Sequence, residues 1–167
     1  VYAVQREMRR ARSEGRLHRP VHITTLAYHE TLPAPTRSLP DDFDYESASM
    51  TFFPIERCYV HSLAAPECTE INQKLLEHYQ GWTMGEGRNY KGAIFIGEYY
   101  NVSTFKTMPV VFTRIMAADI PWYYGTGARH FHYMHVPTGQ WGTWTLNQSL
   151  MARLVWDVQT DVDAFLA

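Results

Sequence analysis

Four short runs of β-branched and apolar residues alternate with stretches of helical periodicity. That alternation confines the chain to an α/β fold. The runs are 21–27 (VHITTLA), 49–55 (SMTFFPI, cut by Pro54), 93–97 (AIFIG) and 129–136 (RHFHYMHV). The third is apolar throughout, as expected of a strand buried on both faces of a parallel sheet. Between and around them lie helical signals. Residues 1–14 place Val4, Met8 and Ala11 on one face and end at Gly15. Thr69 stands before Ile71, Leu75, Tyr79 and Trp82 at near-helical spacing, which predicts a helix with Thr69 as its cap. Pro109 is placed to open a helix reaching Ile120. Thr145 and Gln148 have the spacing of a capping box for a helix through about Trp156. Residues 31–47, with Pro33, Pro35 and Pro40, read as a loop.

The expected architecture is α/β, of the (β/α)₈ barrel type. About four βα units supply its C-terminal half over residues 1–167. Long, chemically unusual loops follow the strands, where a barrel carries its site. An open doubly wound sheet is the rival, but no GxGxxG or Walker sequence supports it. Both ends read as falling inside helices, so the chain is expected to be a fragment of a longer one. Half a barrel leaves two strand edges open, and either the other half or self-association would cover them.

Charge and hydropathy narrow the partners. The 167 residues carry a net charge of −2, and Lys and Arg do not cluster beyond the first turns, which argues against nucleic acid. No apolar run is long enough to span a bilayer. No cofactor is expected, and no Gly-rich phosphate loop, G-x-S-x-G elbow or H-E-x-x-H occurs. The aromatic share of 14%, with five Trp and eleven Tyr, suits both a core and sugar stacking.

Several segments resemble the bacterial DUF4838 family of glycoside-hydrolase-like barrels. They are Leu26-Ala27-Tyr28 with Pro33 and Pro35, and Cys58-Tyr59-Val60-His61-Ser62-Leu63 with Cys68. Then come Glu98-Tyr99-Tyr100-Asn101, Gly125-Thr126-Gly127, and Ala152-Arg153-Leu154-Val155-Trp156-Asp157 with Asp161. The resemblance implies a barrel related to α-glucuronidases and hexosaminidases, several hundred residues long, of which this chain is the C-terminal half. In such hydrolases a catalytic acid commonly follows the fourth strand, which would lie before Val1. The implied function is hydrolysis or binding of a polysaccharide or oligosaccharide. The alternative is a non-catalytic carbohydrate-binding or structural barrel domain. An extracellular or periplasmic location in a bacterium is expected.

Glycoside hydrolysis needs two carboxyl groups. Glu98 follows AIFIG, where partial desolvation would raise its pKa toward acid–base use. The competing reading is a structural Glu hydrogen-bonded to Tyr or Arg. Glu30 follows the first strand and is the candidate partner, with a solvated loop residue as its alternative. Tyr28, Arg57, His61, Tyr99, Tyr100, His135, Trp141 and Trp144 are candidate substrate-binding residues. Arg57, next to Glu56, could grip a substrate carboxylate in a bidentate fork or form a salt bridge to a neighbouring loop. Trp141 and Trp144 are candidate sugar platforms, whereas Trp82, Trp122 and Trp156 belong to helices and the core. Histidines 130 and 132 share one strand face and His135 takes the other. Cys58, His61 and Cys68 have a C-x2-H-x6-C spacing that supplies three zinc ligands, with His29 as a fourth. A disulfide between the two cysteines, or two buried thiols, is the favoured reading, and no metal is expected.

Overall fold

The computed structural model describes residues 1–101, 110–135 and 141–167. Helix α1 (Tyr2–Ser13) precedes strands β1 (Ile23–Ala27) and β2 (Ala48–Phe52). Helix α2 (Thr69–Thr83), β3 (Ile94–Asn101), α3 (Thr113–Gly125) and β4 (Ala128–His135) follow, then α4 (Trp141–Trp156) and α5 (Val162–Leu166). The four strands form one parallel sheet in the order β1-β2-β3-β4. This is the mixed α/β architecture that the alternation of strand and helix signals demands.

Three expectations are corrected. The β1–β2 connection carries no α-helix, only a 3₁₀ turn at His29–Thr31, so three of the four strands are followed by a helix. Pro33, Pro35 and Pro40 account for this, since each removes an N–H from the chain. Strand β2 stops at Phe52, before Pro54 would have to donate to the ladder. Thr69 and Thr145 do not cap their helices: Cys68 holds the N-cap position of α2, and Thr145 lies within α4.

The helices pack on one face of the sheet. Phe52, Ile94 and Ile96 meet Leu75, Tyr79 and Trp82 of α2 in one core cluster. Tyr100 meets Ile115, Met116 and Ile120 of α3 and Leu150 and Leu154 of α4 in the second. Ile71, on the α2 face read as apolar, is 60% exposed. Successive β3 residues alternate faces. Phe95 therefore stacks on His130 on the face opposite these clusters, with ring centroids 4.1 Å apart. On that face Leu26 is 50% exposed and His130 and His132 are exposed.

Gly97, between Phe95 and Tyr99 on β3, is required by close packing. A Cβ there would stand 2.1 Å from the Phe53 ring. Phe53 is held edge-on to Tyr28, Tyr99 and His132. A side chain at 97 would displace that aromatic group.

Candidate functional site

The C-terminal ends of β1 and β2 open into a cleft of about 530 Å³. The chain leaving β1 contributes His29, Glu30, Leu32 and Pro33; the chain leaving β2 contributes Phe53, Ile55 and Glu56. Helix α2 closes the side with Ile71, Lys74, Leu75 and His78. His29 sits in the left-handed region at φ 46°. A non-glycine residue there carries strain that the surroundings must hold in place. Thr31 does so, donating from its hydroxyl to the carbonyls of Leu26 and Tyr28 and accepting from the Tyr28 N–H. Glu30 and Glu56 are both exposed at this cleft.

Glu98 is elsewhere. It lies within β3 rather than after it, on the helix-covered face, and is 0% exposed. Its Oε1 accepts from Arg57 Nη1 at 2.7 Å and from the Tyr123 hydroxyl at 2.6 Å, and its Oε2 accepts from the Tyr99 N–H at 3.1 Å. The same Arg57 nitrogen donates to Asp119 of α3, which also accepts from the Tyr100 hydroxyl and the Leu63 N–H. Two carboxyl groups thus share one guanidinium away from water. Burial pushes the Glu98 carboxyl above its usual range, and Arg57 only partly offsets this. Burial alone would release the Arg57 proton, but Glu98, Tyr123 and Asp119 hold it on. Burial, with Glu98 nearby, also keeps the Tyr100 and Tyr123 phenols protonated well beyond their ordinary range, so both remain donors.

The placement of Glu98 and Arg57 at a solvent-facing strand mouth is therefore corrected. The expected structural alternatives match what is seen: Glu98 is bonded to Arg and Tyr, and Arg57 is in an ion pair between loop and sheet. Asp119 and Tyr123 were missed by sequence reasoning. The available signal was an acid inside the apolar run Ile115-Met116-Ala117-Ala118-Asp119-Ile120, which demands a buried partner.

The remaining candidates divide. Tyr28, half-buried, lies parallel to Tyr99 at 6.5 Å between ring centroids. Tyr100 is fully buried, with its hydroxyl on Asp119. Trp144 lies in α4 and is 2% exposed, so it belongs to the interior and offers no platform. The side chains of His135 and Trp141 lie outside the described residues. Glu30 and Glu98 do not share a cleft, because Glu98 points among the helices.

His61 is exposed on the loop after Arg57, beside two free cysteines. Its Nδ1 is 3.0 Å from Cys68 Sγ and 3.8 Å from Cys58 Sγ. Desolvation opposes ionisation of Cys58, but hydrogen bonds from Cys68 and from the Val60 and His61 backbone bring its thiol down to about 7. Cys68, donating to Cys58 and partly desolvated, is pushed up to about 11. No helix among the described residues is long and apolar enough to cross a membrane. Searches of protein-family models, curated proteins and solved structures find nothing that matches this chain.

Proposed function

We propose that this chain is part of a carbohydrate-active protein and that the cleft at the ends of β1 and β2 receives the saccharide. The observation that carries the reading is the composition and place of that cleft. Glu30, Glu56, His29, His78 and Lys74 line it together with the apolar Leu32, Phe53 and Ile71. Sugars present hydroxyls at their rims and C–H groups on their faces, which suits a lining that mixes polar and apolar groups. The strained His29 supports the same place, since strain of this kind gathers at functional sites. So does its position, because open α/β sheets and barrels bind ligands beyond the carboxyl ends of their strands.

The (β/α)₈ half-barrel belongs to the same proposal. A parallel sheet with helices on one face, and with Leu26, His130 and His132 exposed on the other, suits the inside of an incomplete barrel. Strands β1 and β4 are the edges of the sheet among the described residues. Further strands or a second copy would pair with them. The resemblance to DUF4838 proteins, read from short sequence segments alone, is part of the same proposal.

Binding is the first reading, because Glu98, the expected acid, is neutralised and enclosed. Hydrolysis is the second, and one observation favours it: Glu30 and Glu56 are two exposed carboxylates on one cleft, and glycosidases use such a pair roughly 5–10 Å apart. The test uses the full-length protein against a panel of oligosaccharides and aryl glycosides, with Glu30→Gln and Glu56→Gln as variants. Saccharide binding weakened by both variants supports the cleft. Turnover abolished by either adds hydrolysis. Binding that neither variant alters removes the cleft from the function.

A further inference from the structure

We propose that Cys58, His61 and Cys68 form a zinc site with three protein ligands and one position open to solvent. Thiolate sulfur and imidazole nitrogen are the donors Zn²⁺ takes in proteins, and they disfavour the oxygen-seeking Mg²⁺ and Ca²⁺. A tetrahedral ion with Zn–S of ~2.3 Å and Zn–N of ~2.0 Å holds its ligand atoms roughly 3.5–3.8 Å apart. Here the three ligand atoms lie within 4.8 Å of one another, and the two His61–sulfur distances, 3.0 and 3.8 Å, bracket that spacing. Seating the ion requires small adjustments of the exposed His61 ring and of the cysteine side chains.

The loop that presents these ligands is pinned by groups with no other solvent-facing task. Asn72, wholly buried on α2, accepts from the Cys58 N–H at 2.8 Å and donates to the Leu63 carbonyl at 3.0 Å. Arg57 donates to the carbonyls of Cys58 and His61, both at 3.0 Å. Asp119 accepts from the Leu63 N–H. Cys68 is fixed separately, at the N-cap position of α2. The ligands are thus set in place by the fold before any ion arrives, which reduces the ordering cost of binding.

Zn²⁺ replaces the two thiol protons, which pass to solvent. The two thiolates then neutralise the ion. The open position, beside an exposed His61 and a half-buried Cys58, takes water or an incoming donor.

The test uses reduced, chelator-stripped protein titrated with Zn²⁺ against a chromophoric chelator, and with Co²⁺ as spectroscopic probe. One ion per chain is expected. Co²⁺ should give a sulfur charge-transfer band and the intense visible bands of a tetrahedral centre. His61→Ala, an exposed change that leaves the fold intact, should weaken Zn²⁺ by an order of magnitude or more. Cys58→Ser should lower the charge-transfer intensity by about half, since it removes one of two thiolates. The proposal is overturned if Co²⁺ gives no thiolate band at one equivalent, or if both variants bind as tightly as the parent. A Cys58–Cys68 disulfide in protein purified without added oxidant would also overturn it.

Discussion

Arg57 and Glu98 stand 41 positions apart in the chain and 2.7 Å apart in space, both with fully buried side chains. One residue leaves the end of β2 and the other lies in the middle of β3. Their ion pair, extended by Asp119 from α3, ties a loop, a strand and a helix into one charged centre beneath the sheet.

Arg57→Met should unfold the protein easily. Removing one partner of a buried pair leaves uncompensated charge and typically costs roughly 3–5 kcal/mol. Here two carboxyls and two backbone carbonyls lose their donor together. Urea denaturation measures the loss, and a cost under about 1 kcal/mol would contradict the assigned role.

Stability should carry a pH dependence from Glu98. Its pKa is raised by burial above the 4.5 of an unfolded chain. Between the two values the folded state binds more protons, so this group's contribution is fully present below the unfolded value and is lost as pH rises through the folded one. Glu7 and Asp44, whose pKa values are lowered by Arg10 and Ser47 hydrogen bonds respectively, run the opposite way at acid pH. The comparison of parent with Glu98→Gln isolates the term. Urea midpoints of the parent should fall more steeply than those of the variant as pH rises above the unfolded-state value of Glu98.

Tyr123→Phe should cost about 1–3 kcal/mol by deleting the 2.6 Å donor to Glu98 while leaving the acceptor buried. The penalty should grow with pH, as more Glu98 is ionised and needs the hydrogen bond. A constant penalty across pH would mean that the hydroxyl contributes packing alone.

Gly97→Ala should destabilise by about 1–3 kcal/mol through overpacking. The added methyl would stand 2.1 Å from the Phe53 ring, and that ring, 7% exposed, also lines the cleft. Thermal unfolding reads the stability. If saccharide binding by the cleft is confirmed, the same change should weaken it, whereas Gly87→Ala, with open space around its Cβ, should not.

Much of the fold was legible because it rests on local periodicity. The apolar run AIFIG could only be an enclosed strand, and it lies within β3. Leu75, Tyr79 and Trp82 recur at helical spacing and form the buried face of α2. Helix α3 was less legible. It runs to Gly125 with Pro121 inside it, although proline removes a helical hydrogen bond. Packing of Met116, Ile120 and Tyr123 against the sheet outweighs that local loss.

The sequence by itself determined the alternation of elements, the parallel sheet and the residue types available for chemistry. Each follows from contacts between near neighbours and from the chain's own hydrogen bonding. Only the tertiary structure decided what those residues do. Glu98 and Glu30 are both acids near strands, yet the pleat turns Glu98 under the helices into Arg57 while Glu30 stays in water. Likewise the C-x2-H-x6-C spacing names three ligands without saying that they meet; Asn72 of α2, Asp119 of α3 and Arg57 of the loop itself hold that loop in place. Burial and partner, not residue type, set a side chain's charge and reach, and both depend on segments far apart in sequence.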